Sequence, residues 1–330
     1  MPSSVTHAYF AEEVYRKLSP FCQSLIKSEG KAYRLFAQGS DPFMFYHLFV
    51  GKGAKMGKKL QHQMHTEKTR DFFVEVIRCI HQNHLDSNAE VMAYLYGYIC
   101  HYYLDLLVHP FINYQSGKLI KEDKSTYCYN TLHQKIEYRI DSYIIKNKLK
   151  KDPKKFKVHH YLFGVEKFSQ PLKMVIQKSI GKVYHVKDSD MIYWKSVCNM
   201  KHFFHLINYD SSGIKRKVYQ TIDFLTPKWW IRLEELSYHT NDYGEEYLNL
   251  EHEKWCFPWD NSQIFTTSFF DLFDEALEKT VYTIQEVTKI LEEKRLDMKK
   301  LNALFLDLSY VTGLPCQKKV MNQYFKEVKK

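Results

Sequence analysis

Three polar side chains stand at steps of four in the otherwise apolar residues 97–112, GYICHYYLDLLVHPFI. They are His101, Asp105 and His109. On an α-helix a step of four turns about 400°, so these side chains drift by only about 40° per step and share one face. Imidazoles and carboxylates bind metal ions and transfer protons, and leaving them unpaired in an apolar helix is costly. This stretch is therefore the first candidate for chemistry.

Four interpretations of the stripe are open. It can be a core helix whose His and Asp side chains are hydrogen-bonded, a metal-binding face, or a proton relay without metal. It can also be a membrane span, because residues 91–113 are long enough to cross a bilayer. An Asp at mid-bilayer costs roughly 2.5–3.5 kcal/mol, and the stretch is rich in Tyr rather than Leu, which disfavours the span.

A second histidine and acid at the same spacing follow after a short loop. His133 and Glu137 lie in LHQKIEYRID, which also has a helical pattern. Chance alone predicts roughly two His-x-x-x-acid pairs in a chain of this composition, so the spacing by itself is weak evidence. What indicates a site is that both pairs lie in helical patterns separated by a short loop. Together with His109 the two pairs supply five nitrogen and oxygen ligands, a set that suits zinc.

Helix geometry divides these ligands into two sites. His101 and Asp105 are one turn apart, about 6 Å along the axis, and can hold one ion. His109 lies about 12 Å from His101 along that axis, too far to join the same ion comfortably. Pro110 favours an extended conformation for the residue before it. We therefore expect the helix to end or kink at Pro110 and His109 to turn toward the second pair.

Further candidate ligands precede the stripe. His7 opens the amphipathic run HAYFAEEVYRKL, for which Thr6 is a candidate N-cap. Asp41 lies in the turn Gly-Ser-Asp-Pro, where it either caps the next helix or presents a carboxylate to a metal site. His62 and His65 flank a helix start, and either could be a ligand.

Two kinds of surface feature could meet an anionic partner. Residues 51–59, GKGAKMGKK, are predicted to form a flexible, solvated loop, with a mobile basic loop near an anionic substrate as the functional alternative. Aromatic clusters occur in residues 228–230 (KWW) and 255–259 (WCFPW). They predict packed core or, alternatively, interfacial contact with a membrane.

Helices must position these side chains. The 330 residues include only 12 Gly and 9 Pro, and apolar residues recur mostly at helical spacing, which predicts an all-α protein with almost no strand. The central pair of helices is predicted over residues 89–110 and 130–146. A long amphipathic helix is predicted over residues 267–295, with a capping-box-like start at Ser268 and Asp271.

A lysine-rich stretch, residues 146–157 (KNKLKKDPKKFK), is the best linker candidate in the chain. We therefore expect a metal-binding helical core over residues 1–147. A helical remainder over residues 148–330 is expected to pack on this core, so that the chain forms one structural domain overall.

The overall composition indicates which kinds of partner and which cellular compartment to expect. The net charge is +10, which favours acidic lipid, phosphate esters or nucleic acid, although a solvated lysine-rich surface is an equal explanation. The seven Cys are scattered without a CxxC pair, which indicates reduced thiols in the cytosol. The N-terminus MPSSVTHAYF shows no signal peptide. We expect a monomeric, cytoplasmic protein with peripheral contact to anionic membranes as an option.

The order of these residues resembles the zinc-dependent phospholipase C family, whose all-helical fold is shared with single-strand-specific zinc nucleases. The central piece is the most specific, because it keeps His, Asp, His-Pro and then HxxxE in order. The matching pieces are THAYFAEEV, GSDPF, HQMH, GYICHYYLDLLVHPFI and HQKIEYRID, with a looser match in NLEHEKWCFPW and TTSFFDLF. HExxH, GxSxG and GxGxxG motifs are missing, and the lack of a His-Asp dipeptide disfavours an HD-type phosphohydrolase.

The resemblance implies a multi-helix bundle with the metal site between core helices, and it also implies the ligands. One zinc ion is held by Asp41, His65, His101 and Asp105. A second zinc ion is held by His109, His133 and Glu137. A third ion, in the family, uses a helix-start histidine, here His7, and the free N-terminus of the processed chain, with Asp105 bridging. We expect two zinc ions, with the third depending on the N-terminal group.

The implied activity is hydrolysis of phosphate esters, chiefly phospholipase C-type cleavage of phospholipids to diacylglycerol and a phosphorylated head group. Zinc ions lower the pKa of bound water and stabilise the charge on phosphorus. Asp41 is the candidate general base or water-orienting carboxylate. Two alternatives are a single-strand-specific zinc nuclease, which acts on nucleic acid at the same site, and a non-enzymatic, metal-stabilised helical scaffold.

Overall fold

A computed structural model describes residues 4–47, 51–230 and 232–327, and within these ranges it is 65% helical with one small two-stranded sheet. The α-helices in chain order are α1 (Ser4–Lys17), α2 (Pro20–Ile26), α3 (Gly30–Phe36), α4 (Gly51–Thr66), α5 (Thr69–Gln82), α6 (Ala89–Ser116), α7 (Leu132–Tyr143), α8 (Val158–Leu162), α9 (Gln170–Ile176), α10 (Lys182–Tyr184), α11 (Ser189–Phe203), α12 (Ile214–Leu225), α13 (Phe269–Glu292) and α14 (Met298–Leu304). Short π-helical turns follow α7, α9 and α11. The predicted all-α class is confirmed.

Helix α6, which carries the polar stripe, packs most extensively on α3 and α13 and also contacts α1, α2, α5, α7 and α9. Asn88 caps its start by accepting a hydrogen bond from the backbone nitrogen of Val91 at 3.1 Å. Gly97 allows close contact with α3, because a Cβ at this position would lie 2.7 Å from the carbonyl carbon of Phe36. The apolar residues of this helix lie on all of its sides, and most of them are buried. Within the described ranges no helix is both long and apolar enough to span a bilayer.

The expectation that this helix ends near Pro110 is wrong, because α6 continues through the proline to Ser116. Proline removes one backbone hydrogen bond from a helix. The turn that follows buries Phe111 and Ile112 almost completely. Burial of two large apolar side chains stabilises this turn by more than the loss of one hydrogen bond destabilises it. His109 therefore stays on the helical stripe.

The lysine-rich residues 51–59 are helical and not a loop, since they form the first half of α4. Ala54, Leu60 and Met64 are buried on one side of this helix, whereas its lysines are exposed. Apolar residues at helical spacing thus decide the local structure in spite of three glycines. The last turn of α4 carries His65 to the polar stripe of α6.

Helix α13 begins as predicted. The side chain of Ser268 accepts from the backbone nitrogen of Asp271 at 3.1 Å, and the Asp271 carboxylate accepts from the backbone nitrogen of Ser268 at 2.7 Å. These reciprocal bonds form a capping box, and the helix packs its apolar face on α6.

The two aromatic clusters have different surroundings. Strands β1 (Trp255–Phe257) and β2 (Asp260–Phe265) form an antiparallel hairpin. Trp255 is buried there, as the packed-core interpretation predicts, while Trp229 and Trp230 in the other cluster are exposed.

Buried apolar side chains form one connected cluster that extends from Val5 in α1 to Tyr310 near the C-terminus. The lysine-rich residues 146–157 lie against this cluster rather than apart from it, because Pro153 is buried and Phe156 packs on the core. The proposed core and the proposed remainder therefore share buried apolar contacts.

Candidate metal centre

Helices α1, α4 and α7 and one short turn converge on the polar stripe of α6. The predicted ligands are His7 on α1, Asp41 in the 3₁₀ turn Asp41–Phe45, His65 on α4, His101, Asp105 and His109 on α6, and His133 and Glu137 on α7. They form three groups, and within each group one nitrogen or oxygen atom per residue lies within 4.8 Å of the others.

The first group joins Asp41, His65 and His101. Nε2 of His65 lies 3.3 Å from Oδ1 of Asp41, and Nδ1 of His101 lies 3.8 Å from Oδ2 of the same carboxylate. All three side chains are buried. Asp105, which the resemblance places on the same ion, approaches the group with Oδ2 at 3.4 Å from Nε2 of His65.

The second group joins His7, His101 and Asp105. Oδ1 of Asp105 lies 3.1 Å from Nε2 of His7, and its Oδ2 lies 3.3 Å from Nε2 of His101. The carboxylate of Asp105 thus faces both the first and the second group.

The third group joins His109, His133 and Glu137. Oε1 of Glu137 lies 3.0 Å from Nε2 of His133 and 3.8 Å from Nε2 of His109. Nδ1 of His109 also lies 3.7 Å from Oδ2 of Asp105. His109 therefore faces α7 from within a continuous helix, and Asp105 is near all three groups.

Charge and burial act together on this cluster. Burial would raise the pKa of Asp105, but the imidazoles of His109 and His101 hold it well below its usual range. Burial lowers the pKa of His101 to about 4. Burial would also lower the pKa of His65, but the carboxylates of Asp105 and Asp41 raise it to about 10. The ionised carboxylates thus attract positive charge, which a proton or a metal cation can supply.

The residues present fit a metal ion. Several of their buried polar atoms make no hydrogen bond to any described part of the chain, and leaving such atoms unpaired is costly. These atoms are Nδ1 of His7, Oδ2 of Asp41, both ring nitrogens of His101 and Oδ2 of Asp105. A bound cation would satisfy imidazole nitrogens and carboxylate oxygens at once, and this donor set suits zinc.

Backbone carbonyl groups orient two of the imidazoles. Nδ1 of His65 donates to the carbonyl oxygen of Gln61 at 2.8 Å, and Nδ1 of His109 donates to that of Tyr310 at 3.1 Å. A carbonyl oxygen only accepts, so Nδ1 carries the proton and Nε2 keeps its lone pair for a ligand bond. The segment around Tyr310 was not predicted to contribute, because nothing in its local sequence marks it.

Asp141, which sequence analysis did not select, joins α7 to the start of the helix that carries His7. Its two carboxylate oxygens accept from the backbone nitrogens of Val5 at 3.1 Å and Thr6 at 2.8 Å, and the hydroxyl of Tyr238 donates to it at 2.8 Å. The candidate N-cap Thr6 lies inside α1, and Asp141 pairs the free nitrogens of the helix start instead. A signal existed, since Asp141 follows Glu137 by one turn on α7.

A cavity of about 190 Å³ lies between the first and third groups. It is lined by Asp41, Gln61, His62, His65, His109, Asn113, His133 and Val311. Of the two alternatives on α4, the structure places His65 in the first group, whereas His62 is exposed at the rim of this cavity. Residues of both groups thus line one cavity.

Buried helices that gather imidazoles and carboxylates around a shared aspartate define an all-helical protein with a candidate multinuclear metal centre. A sequence model described as zinc dependent phospholipase C matches residues 6–185, more than half of the 330 residues, and the chain belongs to this family. The predicted membership is thus confirmed, and the match contains every residue of the three groups. Comparisons with the curated proteins and with the solved structures found no match. The N-terminal group that the resemblance implies as a ligand lies outside the described residues.

Proposed function

We propose that the protein is a zinc-dependent hydrolase that cleaves phospholipids to diacylglycerol and a phosphorylated head group. The observation that carries the proposal is the position of Asp105, whose carboxylate faces imidazoles from all three groups. Ions held by the residues around this shared carboxylate would be close enough together to act on one phosphate. Membership of the zinc dependent phospholipase C family supports the same class of reaction.

Each proposed ion has its own set of ligands. Asp41, His65, His101 and Asp105 would hold one zinc ion, and His109, His133 and Glu137 would hold a second. His7, whose Nε2 lies 3.1 Å from Oδ1 of Asp105, offers with that carboxylate a place for a third. Bound zinc supplies Lewis acidity and water of lowered pKa.

Asp41 is the proposed general base. Gln61 donates its side-chain amide to Oδ1 of Asp41 at 3.2 Å, which orients the carboxylate. Burial would raise the pKa of Asp41, but His101 and His65 lower it, so the carboxylate is ionised at neutral pH and can accept a proton.

The proposed reaction is the hydrolysis of a phosphodiester bond. The oxygen of water forms a bond to phosphorus, and the bond between phosphorus and the diacylglycerol oxygen breaks. Asp41 accepts the proton of the attacking water, and the leaving alkoxide takes a proton from solvent. Because Asp41 lines the 190 Å³ cavity, it can reach a water molecule beside a phosphate held there.

The compartment is proposed from the thiols. The seven cysteines are free of disulfides in the structure, as reduced thiols would be. This supports a reducing compartment such as the cytoplasm. A phosphate-ester substrate also suits the net charge of +10.

Metal analysis combined with a substrate panel tests the proposal. We expect at least two zinc ions per chain, and turnover of phosphatidylcholine or phosphatidylinositol but not of single-stranded DNA. His133→Ala should lose about one equivalent of zinc, because the ligands of one site act together. His62→Ala, on the rim of the same cavity, should keep all of it.

Each other outcome contradicts part of the proposal. Preferred cleavage of single-stranded DNA would establish the nuclease alternative. Stoichiometric zinc without turnover of any substrate would establish the scaffold alternative. Full zinc content in His133→Ala would remove the third group from the metal centre.

A further inference from the structure

Helix α12 (Ile214–Leu225) presents its apolar side to solvent. Ile214, Val218, Ile222 and Leu225 share one face of the helix and are 64%, 50%, 39% and 76% exposed. The opposite face is turned toward the protein and contains Asp223, which is buried. An ordinary surface helix has the reverse orientation, with apolar residues inward and polar residues outward.

Two carboxylates hold α12 in this orientation. Asp210 accepts from the backbone nitrogen of Arg216 at 2.8 Å and so anchors the first turn. Asp223 accepts from the backbone nitrogens of Leu233 at 2.8 Å and Glu234 at 2.9 Å and so anchors the last turn. The exposure of the apolar stripe is therefore built into the fold and does not result from fraying of the helix ends.

The chain that follows α12 extends the same surface. Phe224 is 87% exposed, and Trp229 and Trp230 are 40% and 54% exposed. Lys228 precedes the two tryptophans and is exposed, and Nζ of Lys121 lies 5.2 Å from the centre of a Trp229 ring. Residues 214–230 contain four basic residues against the single acid Asp223, and of these Lys217 and Lys228 are exposed whereas Lys215 and Arg216 are half-buried. This surface thus combines apolar, aromatic and basic groups.

This surface adjoins the candidate metal centre. The side-chain amide of Asn130 donates to the carbonyl oxygen of Lys228 at 2.7 Å and also to that of Trp230. Asn130 precedes His133 by three residues, and the His133 side chain is 34% exposed, more than the other members of its group. The end of this surface is thus hydrogen-bonded to the segment that leads into α7 and the third group.

We propose that residues 214–230 form a docking face for an anionic phospholipid surface. This rests on the proposed function, because the substrate would lie in that surface. Apolar side chains of an amphipathic helix enter the boundary between head groups and acyl chains, and tryptophans favour the same depth. The lysines beside them complement the negative potential of acidic lipids.

Vesicle sedimentation with matched variants tests the docking face. The probes are vesicles of phosphatidylcholine alone and of phosphatidylcholine with phosphatidylserine. We expect the wild-type chain to bind the anionic vesicles more strongly and to be released by salt, since screening acts within about 8–10 Å at physiological ionic strength. The double variant Phe224→Ser, Leu225→Ser should bind at least tenfold more weakly. The control Met191→Ser, Met321→Ser removes two similarly exposed side chains elsewhere and should bind as the wild type does.

Three results would contradict the proposed docking face. The wild-type protein could fail to sediment with the vesicles, or the double variant could bind within twofold of the wild type. The wild-type protein could also bind both kinds of vesicle equally and without dependence on salt. A dimer in lipid-free buffer that the double variant abolishes would assign the face to a second copy of the chain.

A water-soluble short-chain phospholipid separates this inference from the proposed function. The double variant should hydrolyse it at the wild-type rate, because none of the changed residues belongs to the three groups. Vesicle binding through this face without hydrolysis would reject the proposed function alone. Hydrolysis of the soluble substrate without vesicle binding would reject the docking face alone.

Discussion

Gly39 lies directly against the imidazole of His101. Its φ angle is +52°, and a Cβ built on it would lie 2.2 Å from Cδ2 of that ring. The hydroxyl of Tyr193 donates to the carbonyl oxygen of Gly39 at 2.8 Å and holds the backbone in place. Glycine is therefore required next to this ligand both for its backbone conformation and for its lack of a side chain.

The first prediction is that Gly39→Ala displaces His101 and reduces the zinc content. Positive φ and overpacking should together lower the free energy of unfolding by about 2–4 kcal/mol. Gly30→Ala is the control, because Gly30 has helical φ and a Cβ there would meet nothing within 4 Å. Zinc stoichiometry and urea unfolding check both variants. Equal zinc content and equal unfolding free energy in the two variants would show that the contact with His101 is not needed for zinc binding.

The second prediction separates the roles of Asp105 and Asp41. Asp105→Asn should lose most of the zinc and all activity, because this carboxylate faces all three groups. Asp41→Asn should keep most of the zinc, since other ligands remain, yet lose a factor of about 10²–10⁴ in rate. Zinc content and phospholipid turnover are measured on the same preparations. Wild-type turnover in Asp41→Asn would exclude the general base, and loss of its zinc would make Asp41 only a ligand.

The third prediction concerns the contact between α1 and α7. Asp141→Ala leaves the buried donors of Val5, Thr6 and Tyr238 without their acceptor and should lower the free energy of unfolding by about 2–4 kcal/mol. Asp297→Ala removes the partly exposed N-cap of α14 and should cost about 1 kcal/mol. Urea unfolding compares the two. Equal losses would mean that Asp141 is an ordinary cap and does not tie the two helices together.

The fourth prediction is an acid-sensitive contribution to stability from His159. Nε2 of this buried histidine lies 3.2 Å from Nδ1 of His205. Burial lowers the pKa of His159 to about 4, and neighbouring basic side chains act in the same direction. They are His160, His205, Lys157 and Lys201.

Between about pH 6.5 and pH 4 the unfolded chain therefore binds a proton at His159 that the folded chain does not. Stability should fall as the pH falls through this window and level off below it. His159→Gln should reduce this fall by about 1–3 kcal/mol, since one pKa unit corresponds to about 1.4 kcal/mol. The exposed His185→Gln is the control. Parallel curves of unfolding free energy against pH for all three proteins would contradict the prediction.

Much of the fold and of the candidate site could be predicted from the sequence because both depend on local periodicity. The stripe of His101, Asp105 and His109 follows from steps of four on a helix, and the all-α class follows from apolar spacing. The capping box of α13 is likewise a pattern of four consecutive residues. These features depend on residues that lie within a few helical turns of one another, so residue type and spacing are enough to predict them.

Tertiary packing decided what local patterns left open or predicted wrongly. Pro110 does not end α6, because burial on both sides of it outweighs one hydrogen bond. Residues 51–59 are helical, because α4 packs on the turn that holds Asp41. Asp141 pairs with Thr6, 135 residues away, and Tyr310 pairs with His109, 201 residues away, and no local signal specifies those partners.

By itself, the sequence determined the all-α class, the face that His101, Asp105 and His109 share on one helix, and the family. Only the tertiary structure decided that Asp105 faces three groups, that His65 rather than His62 joins the first of them, and that α12 turns its apolar face outward. The physical reason is that periodicity defines which side chains share a face of one helix. Distances between faces of different helices, and the side of a helix that meets solvent, depend on the packing of the whole chain.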